Sequence, residues 1–363
     1  MTLAINSTDF KLIKSIIEPS CKVRKLTFAI TYKCNYRCRH CHIWKIYRLN
    51  PKLMNQELEA QDIIKVFNHT KSLLWVSITG GEPFLRNDLI EIVRHILTKR
   101  VRIISINTNG SLPYRIYEVI NELCKEVRND RPRIIVPISI DGTKEVHDSI
   151  RGVDGAFEKA ITTYTLLNYL SAKYKCIVPL FEITITPYNF NNIANLINYL
   201  LNNSGFPKLN IVFTLMHIST YYFHGNIDIP KVVTLDYGKV IKNTKLHNAF
   251  TDMLGMMNKA FLGLYDMMSY RHSKYCVAGC KSVFMDPFGN VKPCSMIDYV
   301  IGKVREENCD YDLNKFINTP RGREFIMRKR LIGCNCWTPC EAYQTIISKP
   351  YLLLYGIFKY LLI

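Results

Sequence analysis

Acidic residues are scarce in this chain of 363 residues: 30 Asp and Glu stand against 48 Lys and Arg, a net charge of +18. The imbalance implies an anionic partner, whether nucleic acid, an acidic lipid headgroup or a phosphorylated substrate. Long apolar runs are missing too. The terminal stretch 351–363 has thirteen residues with one charge, short of the roughly 20 that a spanning helix needs. Low-complexity segments and Pro/Ser-rich linkers are absent. A content of 48% hydrophobic and 21% charged residues excludes disorder and a structural fibre. The first residues carry no cationic segment followed by an apolar one, so no secretory signal is expected and the chain reads as cytoplasmic. Its length fits one large or two modest domains.

What the sequence does have is cysteine, 13 in all. An odd number, without export, points away from a disulfide scaffold and towards metal or redox chemistry. Cys34, Cys38 and Cys41 crowd into one loop, and Cys276, Cys280, Cys294, Cys334, Cys336 and Cys340 gather near the other end. Cys21, Cys124, Cys176 and Cys309 read as ordinary small residues of the core or its edge.

Between the clusters runs an alternation of short β-rich runs, at Leu26–Tyr32, Leu74–Thr79, Arg102–Asn107, Ile134–Ile140, Leu180–Thr186 and Leu209–Leu215. Helical faces follow several of them: Leu89, Ile92, Val93, Ile96, Leu97; then Ile116, Val119, Ile120, Leu123, Val127; then Ile193, Leu196, Ile197, Leu200, Leu201. Strands alternating with amphipathic helices predict βα units on a parallel sheet, either open or most of a barrel. Each run ends in an unusual polar loop, and in such folds the ligand site lies at the carboxyl ends of the strands. Residues 218–275 fit the repeat poorly. Their Met253, Met256, Met257, Ala260, Phe261 and Leu264 read as one core-packing helical face.

Cys34, Cys38 and Cys41 have the spacing C-x3-C-x2-C directly after a strand. Three thiolates there can bind three irons of a cubane or part of a zinc site with His40 or His42 as fourth ligand. Together with Gly80-Gly81-Glu82-Pro83, Thr108-Asn109-Gly110, Ser139-Ile140-Asp141-Gly142 and His147–Gly152, the loop resembles the radical S-adenosylmethionine (SAM) superfamily over residues 25–217. The resemblance implies an α/β fold, a partial (β/α)6 TIM-like barrel with a small C-terminal iron–sulfur auxiliary domain. It implies a [4Fe–4S] cluster on Cys34, Cys38 and Cys41, whose open iron takes SAM. Gly80, Gly81 and Glu82 would meet the methionine amino group, with Glu82 its counter-charge. Ser139 and Asp141 would contact ribose, Asn109 would line the site floor, Arg151 would pair with the methionine carboxylate, and His40 would flank the adenine. The implied chemistry is reductive cleavage of SAM to a 5′-deoxyadenosyl radical that abstracts hydrogen from an unactivated C–H bond.

The second cluster, with its Asp286-Pro-Phe-Gly289 turn, is similar to the SPASM and twitch extensions of that superfamily. Six cysteines are too few for two fully ligated cubanes, so one auxiliary [4Fe–4S] cluster is expected. Cys276, Cys294, Cys336 and Cys340 are the preferred ligands, Cys280 and Cys334 the substitutes, and a zinc site is the alternative. The expected divisions are 1–24 an N-terminal extension, 25–217 the barrel, 218–269 a helical connection, 270–345 the auxiliary domain and 346–363 an apolar tail. That tail either docks on the protein or lies at the inner face of a membrane, aided by the positive charge. The expected substrate is an anionic membrane lipid or its headgroup; the alternative is a peptide, as for a maturase. A reductase or ferredoxin would donate electrons. A non-catalytic electron carrier or nucleic-acid binder fits poorly with the intact glycine-rich motifs, and no nucleic acid is expected.

Overall fold

Strand β1 (Lys25–Thr31) is buried along its whole length, as expected of a strand covered on both faces. It lies within a nine-stranded sheet of order β6-β5-β4-β3-β2-β1-β7-β8-β9 in the computed structural model. The structure describes residues 20–128, 131–203, 209–216, 253–265, 267–268, 275–305, 310–329 and 336–362. Cys309, Cys334 and most of the 218–269 connection lie outside them.

The six apolar runs become β1, β2 (Trp75–Gly80), β3 (Ile103–Ile106), β4 (Arg133–Ser139), β5 (Ile177–Ile185) and β6 (Ile211–Leu215). All pair in parallel, with Lys25 opposite Trp75, Trp75 opposite Ile103 and Ile103 opposite Arg133. This shared register brings the six carboxyl ends to one rim. The sheet is open, with helices packed on it. These are α1 (Ala60–His69), α2 (Leu89–Leu97), α3 (Pro113–Glu126), α4 (Lys144–Arg151), α5 (Ala156–Lys173) and α6 (Ile193–Asn203).

Beyond β1 the sheet continues into the second cysteine region. Strand β7 (Ser282–Met285) pairs with β1 in parallel, Lys25 opposite Ser282, and turns at Gly289 into antiparallel β8 (Asn290–Lys292), which β9 (Gly302–Lys303) follows. The expected Asp286–Gly289 turn is thus the hairpin corner. Asp286 accepts the backbone N–H of Phe288 and Asn290, and Gly289 holds φ +83°, which glycine adopts without strain.

Helix α7 (Met253–Gly263) and the later α8 (Leu313–Ile317), α9 (Pro320–Arg328), α10 (Pro339–Ser348) and α11 (Pro350–Leu362) complete the described chain. In α7, Met257, Ala260 and Phe261 are buried, as the stripe predicts. Phe261 stacks on Trp337, and Tyr343 of α10 stacks on Trp75 at the entry to β2.

Candidate active site

The cysteine loop is held from three sides. Gly81 N–H donates to the Thr31 carbonyl and Glu82 N–H to that of Lys33, both at 2.8 Å. A Cβ on Gly81 would stand 2.1 Å from the Lys33 carbonyl oxygen and 3.0 Å from the Cys34 Cβ. The Gly-Gly pair is therefore what lets the loop lie down on the end of β2. On the other side Arg37 and Arg39 N–H donate to the carbonyls of Arg151 and Ile150, at the end of α4. Asn35 bridges to the β3 loop, donating to Ser111 Oγ at 2.8 Å and accepting from Asn109 Nδ2 at 3.0 Å.

The three thiols line one cavity, which opens over the carboxyl ends of all six strands. Gly80 and Gly81 border it from β2, Asn107 and Asn109 from β3, Ser139 from β4, Glu182 and Thr184 from β5, and Thr214 and Met216 from β6. His40 and Arg151 are on the same wall. Burial pushes the Cys34 thiol up to about 12 and raises Cys38 and Cys41 as well. Such thiols stay protonated unless something cationic takes the proton's place, as iron does. Donors already aim at the sulfurs, with Arg151 Nη1 3.7 Å from Cys38 Sγ and Asn109 Nδ2 4.0 Å from Cys34 Sγ.

This donor set fits a cubane. No three His, Cys, Asp or Glu side chains among the described residues close on a single ion. Three thiols facing one cavity from one loop can each take one iron of a cubane. His40 is buried with Nδ1 unpartnered, and burial pushes it down to about 4, so it faces the cavity as a neutral ring.

Two of the expected site residues, Glu82 and Asp141, are engaged by the protein itself. Glu82 does not line the cavity. Its carboxylate is fully buried and accepts the N–H of Phe84 at 3.1 Å, the N–H of Asn109 at 2.7 Å and the Thr108 hydroxyl at 3.0 Å. Desolvation pushes it up to about 7 against those donors. It fastens the β2 loop to the β3 loop. Asp141 likewise turns inward. It accepts Thr184 N–H at 3.2 Å and forms an ion pair with Arg151 at 2.7 Å, both side chains buried. Arg151 is thus already paired before any carboxylate ligand arrives.

Behind this pair, His147 Nδ1 accepts the N–H of Asp141 at 3.0 Å, which fixes a neutral tautomer. Burial, then Arg151, pushes His147 down to about 4 from 6.5. Protonation therefore favours the unfolded chain: the stability is complete above pH 6.5 and drains away as pH falls towards 4, by about 3 kcal/mol in total. Urea titrations from pH 7 to 4.5 should show a shallower loss in His147→Gln. Equal slopes in the two proteins would assign the effect to other groups.

Glu182 is the site residue that sequence reasoning missed. Each carboxylate oxygen has one fixed partner, Thr214 Oγ1 at 2.8 Å and Asn107 Nδ2 at 2.9 Å, and burial raises its pKa. One signal could have found it: a lone acid inside the apolar run Ile177–Ile185.

In the second region, Cys294 and Cys336 are buried and Cys276 is half-buried. Cys340 lines the wall of the active-site cavity, and its carbonyl accepts Lys25 Nζ. Cys280 is bonded to Cys21. That corrects both the bystander role of Cys21 and the substitute role of Cys280, since a disulfide sulfur offers no thiolate. Cys124 and Cys176 are buried, as expected. Cys276, Cys294, Cys336 and Cys340 form no disulfide among the described residues, and their number is enough for one cubane.

Residues 28–178 match the family described as the radical SAM superfamily. The chain is similar to the antilisterial bacteriocin subtilosin biosynthesis protein AlbA of Bacillus subtilis (strain 168), 24% identical over 294 residues, which cover 79% of this chain and 59% of AlbA. It therefore spans less than two thirds of that relative. Among solved structures it is similar to anSMEcpe with bound AdoMet and a Cp18Cys peptide, TM-score 0.53 at 17% identity, over 92% of this chain and 99% of that one. Streptococcus suis SuiB bound to S-adenosylmethionine gives a TM-score of 0.54 at 14% identity, over 84% and 68%. These likenesses show the fold, an open, mostly parallel α/β sheet.

Proposed function

We propose, from a chain whose residues 28–178 are a radical SAM domain, that it cleaves SAM reductively and abstracts hydrogen from a peptide, as a maturase of peptide precursors. Cys34, Cys38 and Cys41 would hold a [4Fe–4S] cluster, which would supply the electron for reductive cleavage of SAM to methionine and the 5′-deoxyadenosyl radical. The protein's own part is to orient and to exclude water. Gly80 and Gly81 offer backbone to the methionine end, Ser139 and Asn109 offer hydrogen bonds, and His40 is a neutral flat wall for adenine. A reductase or ferredoxin-type donor would supply the electron. Cys276, Cys294, Cys336 and Cys340 would hold the auxiliary cluster.

The observation that carries the peptide reading over the lipid one is the polar group at the cavity floor. Glu182 is bonded to Thr214 and Asn107, yet each of its carboxylate oxygens and the Asn107 amide keep hydrogen-bonding capacity towards the cavity that backbone amides can use and an acyl chain cannot. Its relatives support the same direction, AlbA by its role in subtilosin biosynthesis and anSMEcpe by its bound peptide. Co-expression with a short peptide encoded beside its gene should change that peptide's mass by loss of hydrogen or a new bond, and anaerobic protein with SAM and dithionite should form 5′-deoxyadenosine. A reconstituted protein that forms none would sink the proposal.

Membrane contact is a separable part of it. No described helix is long and apolar enough to cross a bilayer. Helix α11 instead has two faces. Leu352 and Gly356 dock on α7, so closely that a Cβ on Gly263 would stand 2.1 Å from the Gly356 carbonyl oxygen. Leu354, Phe358, Leu361 and Leu362 are more than half exposed, with Lys359 beside them. The docked and interfacial expectations thus fall on opposite faces of one helix. Removing two such apolar contacts costs about 3 kcal/mol or more of partitioning. Leu354→Glu/Phe358→Glu should therefore cut co-sedimentation with anionic vesicles by about 100-fold. Unchanged sedimentation would remove this contact.

A further inference from the structure

At the end of the barrel opposite the active site, the loops that enter β1, β2 and β3 each bring cations into one cavity. Lys22 and Arg24 precede β1, His69 and Lys71 precede β2, and Arg100 and Arg102 precede β3. The cavity measures about 570 Å³, against about 230 Å³ for the active-site cavity. Asp312 is the one acidic residue of its lining. The Asp312 Oδ1 is already engaged, accepting Asn314 N–H at 3.0 Å and Asn314 Nδ2 at 2.9 Å. Lys22, Lys71, Arg100 and Arg102 form no ion pair within 4.0 Å among the described residues. By contrast Arg94 meets Glu122 and Glu126, and Arg305 meets Asp62.

The wall between the cations is fixed. The buried Ser72 hydroxyl donates to the Val23 carbonyl at 2.7 Å, Asn314 Nδ2 donates to Ser72 Oγ at 3.0 Å, and Asn314 Oδ1 accepts Val23 N–H at 3.0 Å. Three guanidiniums and two ammoniums line the space beside this wall, and a bound anion would offset their like charge. Guanidinium groups match phosphate bidentately, and the volume exceeds what one phosphate fills.

We propose that this cavity binds a small ligand carrying two or more phosphate groups, at a site separate from the SAM cavity. The charge of +18 then has one local purpose. The test is calorimetric titration of the full anaerobic protein with inorganic triphosphate. Saturable 1:1 binding is expected, weaker in high salt. Charge reversal at the exposed loop positions, Lys71→Glu/Arg100→Glu, should weaken it by at least about tenfold, while Lys159→Glu/Lys175→Glu, which removes the same charge outside the cavity, should leave it within about twofold. Saturating SAM should not compete. Should the first pair unfold, Lys22→Gln/Lys71→Gln serves with the same expected direction. Absent or non-saturable binding overturns the proposal, and so does equal weakening in both pairs. Binding of RNA or anionic vesicles that triphosphate does not displace also overturns it.

Discussion

Cys38→Ala should abolish reductive SAM cleavage while leaving the fold intact. Cys38 is buried at the centre of the loop, with its neighbours Arg37 and Arg39 bonded to the end of α4 through backbone atoms alone. The side chain is therefore free to change without releasing the loop. Removing it deletes one of three thiolates and leaves Arg151 Nη1 facing an apolar methyl. The fall in 5′-deoxyadenosine formation should exceed the 10–100-fold that changes in a metal's outer shell typically cost. Iron per chain should drop by about half if two cubanes are present, with the auxiliary cluster's electron paramagnetic resonance signal retained. Cys124→Ala, in the buried pair with Cys176, is the control and should keep cleavage within about twofold, because it touches nothing at the site. Full activity in Cys38→Ala would remove the catalytic cluster from this loop.

Much of this site could be read from the sequence, for physical reasons that differ by element. The six strands stood out because parallel strands buried on both faces need unbroken apolar β-branched runs, as β1 and Ile103–Ile106 supply. The Gly80-Gly81 turn was legible because close backbone approach leaves no alternative residue. Helix α5 was not legible. Its buried face uses Ala156, Ala160 and Thr163 beside Phe157 and Tyr164, so size rather than hydrophobicity marks it. Cys21 was missed because its partner lies 259 residues away, joined through the β1–β7 pairing. Glu82 and Asp141 were found, but their partners within the protein were not. Sequence position put them at the right rim, whereas only side-chain direction shows that Glu82 is bonded by the β2 and β3 loops and Asp141 paired with Arg151.

The ion pair of Asp141 with Arg151 sets the second large effect. Arg151 and Asp141 are 6% and 0% exposed and 2.7 Å apart. Burial by itself would raise the carboxyl, and the guanidinium outweighs it, so the pKa of Asp141 falls below its ordinary value. Replacing Arg151 by methionine keeps most of the volume and removes the charge. Asp141 is then left ionised in a dry site or forced to take a proton, a change that costs about 3–5 kcal/mol when one partner of a buried pair is lost. Urea unfolding of the Arg151→Met protein near pH 7 should show that loss. Arg151→Met/Asp141→Asn should recover a large part of it, since Asn can still accept Thr184 N–H and carries no charge to strand. Recovery is what separates an uncompensated charge from a packing defect, because a cavity left by methionine would persist in the double variant. The same pair would couple stability to the proposed SAM cleavage. Arg151 is the only side chain that ties the ion pair, through Nη1, to Cys38 Sγ among the described residues, so the double variant should regain the fold without regaining SAM cleavage.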